Sequence, residues 1–167
     1  KVLLCVKDQT LRTQLAKELR TEPVELGIVN KSPNVFEAAS SDELETYSRR
    51  DNVQFVVICA QLLWDRMNSV IAANRVQLLS RFPVVIFDEM HYATEKIRQI
   101  VHQATNSLVF GLTATPGRSI NNEESNKSLS DFFHNKIITI PDKPQGVITY
   151  LRETNILSRA IYDRIHT

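Results

Sequence analysis

The sequence predicts an α/β fold in which a parallel sheet carries helices on both faces. Short apolar runs rich in Val, Ile and Phe alternate with segments that have helical spacing. This alternation is typical of β-α-β units, because parallel strands need a long crossover that a helix supplies. A chain of 167 residues is long enough to bury one substantial core. The predicted strands are Val2 to Val6, Leu26 to Val29, Val53 to Ala60, Val84 to Phe87, and Leu108 to Leu112.

Helical patterns occupy the segments between these runs. Residues 11–19 and 97–104 each place apolar side chains at the spacing of one helical face, and residues 67–79 are compatible with a helix. Short polar side chains that accept hydrogen bonds from the first turn are typical N-caps. The predicted caps are Asp8 or Thr10, Ser40 with Glu43 as its capping-box partner, and Thr94.

The chain changes character after Arg118. Residues 121–128 are polar and lack periodicity, which predicts a surface loop. Residues 136–140 predict a further short strand, and residues 157–165 place apolar side chains on one helical face.

Composition narrows the class of protein. The 20 basic and 19 acidic residues leave a net charge of +1, so any contact with nucleic acid must come from local placement of Lys and Arg. Cys5 and Cys59 lie in apolar runs and are predicted to be free buried thiols in a reducing compartment. Because neither a long apolar span nor a signal-peptide pattern is present, we expect a cytoplasmic protein without a membrane segment. A predicted strand directly after Lys1 indicates a piece of a longer protein.

Two adjacent carboxylates, Asp88 and Glu89, follow the apolar run that ends at Phe87. Charges at the end of a buried strand are costly unless a cation or a reaction needs them there. In nucleoside-triphosphate motors the first carboxylate holds Mg²⁺ and the second orients the attacking water. The alternative is an ordinary turn, since Asp is common where a strand ends.

Three other predicted strands also end in polar residues. Thr113-Ala114-Thr115-Pro116 follows residues 108–112, Gln61 follows residues 53–60, and residues 7–14 follow the first run. Carboxyl ends of parallel strands meet at one edge of a sheet, where a helix N-terminus can also receive a phosphate. Seen one at a time, the same residues are also compatible with ordinary turns, caps and solvated charges.

The order of these segments resembles the first motor domain of DEAD/DEAH-type superfamily-two helicases, in the DExH branch that includes the helicase subunits of restriction enzymes. Asp88-Glu89-Met90-His91 matches the Walker B box of that family, and Thr113-Ala114-Thr115 matches its motif linking hydrolysis to strand movement. Residues 7–14 and 59–63 resemble two nucleic-acid-contacting motifs. The resemblance spans almost the whole chain. It implies a three-layer, RecA-like (P-loop NTPase-type) parallel sheet with helices on both faces, incomplete at its N-terminus.

The resemblance also implies roles, with ATP and Mg²⁺ as cofactors. Asp88 would hold Mg²⁺ through water, and Glu89 would be the catalytic base or water-positioning group. Nucleic acid, DNA rather than RNA, and a second RecA-like domain of the parent chain would be the partners. Contacts to the nucleic-acid backbone position a strand without reading its sequence. The residues implied to couple nucleotide state to the nucleic-acid groove are His91, Thr113 and Thr115, and those implied to contact the backbone are Lys7, Thr10 and Gln61.

The resemblance divides the chain into residues 1–140, part of the first motor domain, and residues 141–167, a connector and helix towards the second. The family's phosphate-cradling loop, G-x-x-x-x-G-K-[ST], has no match in this chain. Because that loop supplies most ligands of the β- and γ-phosphates, we expect negligible ATP turnover from this chain alone. The strand of that loop normally lies beside the one carrying the T-A-T turn, so we also expect residues 108–112 to present an unpaired apolar edge.

Three functions are compatible with these patterns. The first is a fragment of an ATP-dependent nucleic-acid helicase or translocase that contributes the hydrolysis carboxylates and part of the nucleic-acid groove. The second is a non-catalytic RecA-like remnant that acts as a binding or scaffolding module. The third is a metal-dependent hydrolase using Asp88, Glu89, His91 and His102, although the H-E-x-x-H spacing is absent.

Overall fold

The computed structural model describes residues 1–69, 77–92, 95–113, 123–134, 136, 138, 149–150 and 153. The chain divides into two compact units, residues 1–129 and 130–167. A 3₁₀ turn, Met90–Tyr92, follows the fourth strand, and residues 77–80 are helical. In chain order the other elements are β1 (Val2–Val6), α1 (Gln9–Glu25), β2 (Val35–Ala38), α2 (Ser41–Arg49), β3 (Phe55–Cys59), α3 (Ala60–Ser69), β4 (Val84–Phe87), α4 (Glu95–Gln103), β5 (Leu108–Gly111) and α5 (Glu123–Phe132).

The five strands form one sheet in the order β2-β3-β1-β4-β5, and every pairing is parallel. The predicted α/β class is therefore confirmed. The connection after β1 runs towards β2, whereas the connection after β4 runs the other way, to β5. The direction of winding thus reverses between β1 and β4. In open α/β sheets, ligands bind at the carboxyl ends of the strands beside such a reversal.

Helices cover the two faces of the sheet unequally. Register partners on neighbouring strands share a face, so Leu4 and Val57 lie together on one side. There they pack in one cluster with Ala16 of α1. Leu3 and Val56, on the other side, are fully buried, and α2 and α3 contact β3 there. The sheet is therefore the middle of three layers, as predicted.

Helix α1 begins and ends with recognisable caps. The side chain of Asp8 accepts a hydrogen bond from Leu11 N at 3.0 Å, which confirms one of the two predicted N-caps. At the other end Gly27 has φ +68, with its N–H bonded to Val24 O and that of Ile28 to Pro23 O. These are the two bonds of a Schellman motif, which glycine favours because it has no Cβ to clash at positive φ.

The predicted strand at Leu26 to Val29 is wrong, because this segment is the exposed end of the α1 cap. The second strand is instead β2, which the apolar pattern missed because it contains a charge, Glu37. Arg20 of α1 lies 3.3 Å from that carboxylate, so the charge is compensated at the sheet edge. Tertiary pairing overrides the local apolar pattern in both places.

Helix α2 confirms one further cap, and three later predictions need correction: α3 already begins at Ala60, the loop at residues 121–128 is wrong, and the strand at 136–140 is not seen at residues 136 and 138. Glu43 N donates to Ser40 Oγ at 3.2 Å, and the Glu43 carboxylate accepts from Ala39 N, which confirms a capping interaction at α2. The predicted loop at residues 121–128 is wrong, since α5 begins at Glu123. Leu129 is buried, and Arg98 of α4 donates to Ser128 Oγ at 2.8 Å. Both contacts anchor residues 123–129 of this helix within the first unit. Residues 136 and 138 of the predicted strand at 136–140 are described and lie outside any strand, whereas Thr94 and residues 137, 139–140 and 157–165 lie outside the described residues.

Strand β5 lies at the end of the sheet, and among the described residues no strand pairs with its outer side. Leu108, Phe110 and Leu112 share one face of this strand and are 66%, 40% and 50% exposed. Their register partners Val84 and Ile86 are only partly buried. The expected unpaired apolar edge is thus present over the described residues. Val84, Ile86, Leu108, Phe110 and Leu112 together form an apolar strip over β4 and β5, in which Ile86 packs against the cluster around Ala16.

The two cysteines are free, as predicted, although only Cys5 is fully buried. Cys5 is the register partner of Ile58, and Val6 is the partner of Cys59. Because side chains alternate along a strand, the two thiols point to opposite faces of the sheet and cannot reach each other. Burial raises the pKa of the Cys5 thiol. No helix among the described residues is long and apolar enough to cross a membrane.

Glu45 of α2 holds three arginine side chains together at the amino end of the sheet. Its carboxylate lies 2.6 Å from Arg49, 2.7 Å from Arg81 and 3.5 Å from Arg66. We call these four residues the amino-edge cluster. Burial by itself raises the pKa of Glu45, but the hydrogen bonds and charges of Arg81 and Arg49 outweigh it and lower the pKa to about 2.

We expect Glu45 to contribute acid-sensitive stability. Since its folded pKa lies below the ordinary value of 4.5, the contribution is present above pH 4.5 and is lost as the pH falls towards about 2. Urea unfolding across that range should show a shallower acid loss for Glu45→Gln than for the wild type. Arg81→Gln should also reduce the slope, because the main stabilising hydrogen bond is gone. Parallel pH curves for all three proteins would contradict this expectation.

Candidate active site

The ends of three neighbouring strands are joined by hydrogen bonds at the carboxyl edge. Asp88 N donates to Cys5 O at 2.9 Å, so the chain beyond β4 still pairs with β1. Leu112 N donates to Phe87 O at 2.8 Å, which continues the pairing with β5. Asp88 therefore lies at the reversal between β1 and β4, and Thr113 lies on the adjacent strand end. Both positions agree with the expected meeting of polar strand ends.

The backbone turns sharply at Glu89, where φ is +51. Positive φ is unfavourable for a residue with a side chain, by about 1–2 kcal/mol, and such residues concentrate at functional sites. Two hydrogen bonds hold the turn: Glu89 N donates to Asp88 Oδ1 at 3.0 Å, and Met90 N donates to Leu112 O at 2.8 Å. Met90 is also buried, so its packing anchors the backbone directly after the two carboxylates.

His91 links the acid pair to the end of β5. Its Nδ1 lies 2.9 Å from Thr113 Oγ1 and 3.1 Å from Glu89 Oε2. The imidazole is mostly buried, whereas the Glu89 side chain is 41% exposed. One ring nitrogen thus contacts residues from two of the predicted motifs. The sequence predicted that these three residues belong to one site, and the structure places them within hydrogen-bonding distance.

The contacts of His91 also indicate its tautomer. An ionised carboxylate can only accept hydrogen bonds, so a proton on Nδ1 is needed for a favourable contact with Glu89. That proton is then shared with Thr113 Oγ1, whose own hydroxyl hydrogen is left to donate elsewhere. We infer the Nδ1–H form of His91 from this arrangement of acceptors. A change in the position of Thr113 would therefore alter the hydrogen bond between His91 Nδ1–H and the Glu89 carboxylate.

The three predicted nucleic-acid contacts also lie at the carboxyl edge. Lys7 and Thr10 are exposed just beyond β1, one before α1 and one in its first turn. Gln61 is exposed at the start of α3, and its amide donates to Asp65 Oδ1 at 2.7 Å. A nucleic-acid strand would have to compete with that intrahelical bond to reach Gln61. All three side chains are exposed at this edge.

Arg12 is a polar residue of this edge that the sequence interpretation missed. It is only 7% exposed, and its NH1 donates to Ala38 O at 3.2 Å. Its Nε is buried without a hydrogen-bond partner among the described residues. The helical spacing could have predicted its burial, because Arg12 lies four residues before Ala16 and therefore on the same, buried face of α1. The guanidinium ties α1 to the carboxyl end of β2.

Cys59 lies close enough to Arg12 to be affected by its charge. Burial raises the pKa of the Cys59 thiol, the Arg12 charge lowers it, and Asp8 raises it again. The net shift is upward, so the thiol form is favoured. Cys59 is also the first residue of the segment 59–63, where the second nucleic-acid motif was expected.

Two predicted site features are not brought together in the described structure. Thr115 lies outside the described residues. His102 lies in the last turn of α4 and is exposed. Among the described residues, no group of three or more His, Cys, Asp or Glu side chains is arranged to hold a metal. The described residues therefore offer no support for the alternative of a metal-dependent hydrolase.

Residues 1–118 match the model of the family described as type III restriction enzyme, res subunit. The match covers more than half of the chain and includes both carboxylates, His91 and the T-A-T turn. The chain belongs to this family. None of the curated proteins compared with the chain matches it.

Membership of the res-subunit family accounts for the fold and the broad activity. The family is of the helicase superfamily 2 type, a group of ATP-dependent nucleic-acid enzymes that generally use ATP and Mg²⁺. The five-strand parallel sheet flanked by helices is consistent with a RecA-like domain. The chain is thus a helicase-like, ATP-dependent nucleic-acid enzyme domain at the level of its family.

Proposed function

We propose that this chain is part of the first motor domain of an ATP-dependent helicase or translocase acting on DNA. In this proposal residues 1–140 belong to the motor domain, and residues 141–167 lead towards a second RecA-like domain. The observation that carries it is the position of His91, whose Nδ1 contacts both Glu89 and Thr113. A histidine between the hydrolytic carboxylate and the neighbouring strand end can transmit a change at one to the other.

Asp88 and Glu89 supply the acid pair of the proposed ATP site. Carboxylate oxygens are the hard ligands that Mg²⁺ prefers, so the donor set fits this cation, with Asp88 holding it through water. When bound, Mg²⁺ neutralises charge on the phosphate oxygens. The more exposed Glu89 would orient the attacking water and accept its proton. Glu89 N donates to Asp88 Oδ1, which orients the Asp88 carboxylate on the backbone of its neighbour.

His91 and Thr113 would couple hydrolysis to the nucleic-acid groove, together with Thr115. Thr113 follows β5, and the residue before it, Leu112, accepts a hydrogen bond from Met90 N through its backbone oxygen. A shift of this strand end would therefore move the turn that carries Glu89 and also lengthen the His91 contact. Conversely, loss of negative charge on Glu89 would weaken its contact with Nδ1–H and leave that proton to Thr113 Oγ1. The coupling would be reciprocal in binding free energy.

Lys7, Thr10 and Gln61 would contact the nucleic-acid backbone at the same edge. Lys7 and Thr10 are exposed at the start of α1, on either side of its Asp8 cap, and an ammonium and a hydroxyl group can both bind a backbone phosphate. Arg12 would act as a positioning residue, since its bond to Ala38 O fixes α1 against β2. Contacts of this kind give affinity without base specificity.

The proposal is tested by ATP hydrolysis in the longer protein, measured with and without single-stranded DNA. We expect DNA to stimulate turnover, and His91→Ala to lower the stimulated rate by about tenfold or more, towards the basal rate. His102→Ala, in an exposed turn of α4, is the matched control and should retain stimulation. The chain of residues 1–167 alone should show no turnover above background.

Three results would count against the proposal. Turnover by the isolated chain would contradict the expected need for further phosphate ligands. Full stimulation in the His91→Ala protein would remove the coupling role. DNA binding with no ATP turnover in the longer protein would favour the alternative of a non-catalytic RecA-like binding module.

A further inference from the structure

The amino-edge cluster lies at the end of the sheet opposite the candidate active site. Arg81 precedes β4 by three residues, and Arg49 is the last residue of α2 before the chain turns into β3. Nearby, Lys1 precedes β1, and its Nζ donates to Ser48 O at 2.7 Å. The amino ends of β3, β1 and β4 are adjacent in the sheet, so these side chains share one surface.

Positive charge exceeds negative charge in this cluster. Three guanidinium groups converge on one carboxylate, that of Glu45, with the Lys1 ammonium close by. The positive groups repel one another, and their attraction to the single Glu45 carboxylate compensates only part of this repulsion. An additional anion at this surface would therefore be attracted by all of them. This is a local concentration of charge in a chain whose net charge is only +1.

Several donors of the cluster are not used by Glu45. Arg81 bonds Glu45 Oε1 and Ser48 Oγ through NH1 alone, at 2.7 and 2.9 Å. Arg49 uses Nε and NH2 on the same oxygen. Within the described part of the chain, Arg81 NH2 and Arg49 NH1 make no further hydrogen bond. The side chain of Arg49 is 65% exposed, so its free donor faces solvent.

We propose that the amino-edge cluster binds a phosphate group. Planar guanidinium groups present paired N–H donors that match the oxygens of phosphate, which makes several convergent arginines a phosphate-recognition arrangement. Glu45 holds the arginines in place on one side, and their remaining donors receive the phosphate on the other. Ser48 fixes the orientation of Arg81 through its hydroxyl group.

The nucleic-acid backbone is the favoured source of this phosphate. That choice rests on the proposed function, since a DNA-bound motor domain would bring many phosphates to its surface. Because the cluster lies at the amino edge, it would bind a segment of DNA distinct from the one at Lys7 and Thr10. Free phosphate or nucleotide is the second source with the same chemistry.

The test measures binding of a labelled DNA oligonucleotide to the full chain between about 50 and 200 mM salt. We expect Arg49→Gln to weaken binding by about three- to tenfold and to reduce the slope of log affinity against log salt by about one. Arg81→Gln should have a similar effect, with urea unfolding confirming that it folds. Lys17→Gln removes one exposed charge from α1, on the opposite face of the sheet, and is the matched control.

A parallel titration with inorganic phosphate, followed by NMR of the arginine Nε–H groups, separates the two sources. Phosphate-dependent shifts at Arg49 and Arg81 without any change in DNA affinity would assign the site to free phosphate or nucleotide. No Arg49 dependence in either experiment would overturn the proposal. If Lys7→Gln also leaves DNA binding unchanged, the proposed nucleic-acid function fails, while the phosphate titration still reports on the cluster.

Discussion

Replacing Glu89 by Gln in the longer protein is expected to lower the rate of ATP hydrolysis by about a hundred- to ten-thousandfold, the range that a positioned general base contributes. ATP affinity should change little, because the phosphate ligands are elsewhere. The effect should therefore appear in kcat and not in KM, as for an interaction made only in the transition state. Steady-state hydrolysis assays combined with nucleotide binding by fluorescence would measure both quantities.

Gln is the informative replacement because it leaves the local geometry intact. Its side-chain carbonyl can still accept the hydrogen bond from His91 Nδ1–H, which the structure places 3.1 Å from Glu89 Oε2. Only the negative charge and the basicity are lost. The positive φ at this position and the buried Met90 should hold the turn in the same conformation. Loss of activity would then reflect chemistry and not a rearranged turn.

Glu95→Gln is the matched control for this experiment. Glu95 lies in the first turn of α4, is exposed, and is six residues from Glu89. Its replacement removes the same charge from the same region without touching His91 or Thr113. Unchanged hydrolysis in Glu89→Gln would refute the assignment of Glu89 as base. Equal losses in both variants would point to a general electrostatic effect of this region.

The sequence was most informative where local pattern and tertiary burial agree. The strands β1 and β4 were predicted with correct bounds because they lie inside the sheet and are apolar throughout. The acid pair and Thr113 were predicted to lie at one edge, since parallel strands place their carboxyl ends together. The 3.1 and 2.9 Å contacts of His91 could not be predicted, because they depend on the turn at Glu89.

The errors arose where tertiary contacts outweigh local pattern. Leu26 and Ile28 are apolar yet 71% exposed, because the Schellman motif at Gly27 turns them away from the sheet. Strand β2 contains Glu37, whose charge is matched by Arg20 of α1, 17 residues earlier in the chain. The amino-edge cluster likewise joins residues up to 36 positions apart. No window of sequence contains both partners of such contacts.

Phe87→Ala is expected to be the most destabilising single change considered for residues 1–129, costing about 3–5 kcal/mol. Phe87 ends β4, is 1% exposed, and lies directly before Asp88. Removing its ring leaves a cavity in a layer where the sheet is covered by helices. A domain of this size has a total stability of about 5–15 kcal/mol, so the loss is a large fraction of it.

Phe110→Ala provides the contrast, because it removes the same ring from the neighbouring strand. Phe110 is 40% exposed on the apolar strip over β4 and β5, so we expect a cost of about 1 kcal/mol or less. Urea unfolding should show a large fall in the midpoint for Phe87→Ala and a small one for Phe110→Ala, at similar m-values. Equal losses would mean that the strip over β4 and β5 is covered in solution. The difference between the two losses in unfolding free energy therefore shows whether the sheet surface at Phe110 is less buried than that at Phe87 when the chain is alone.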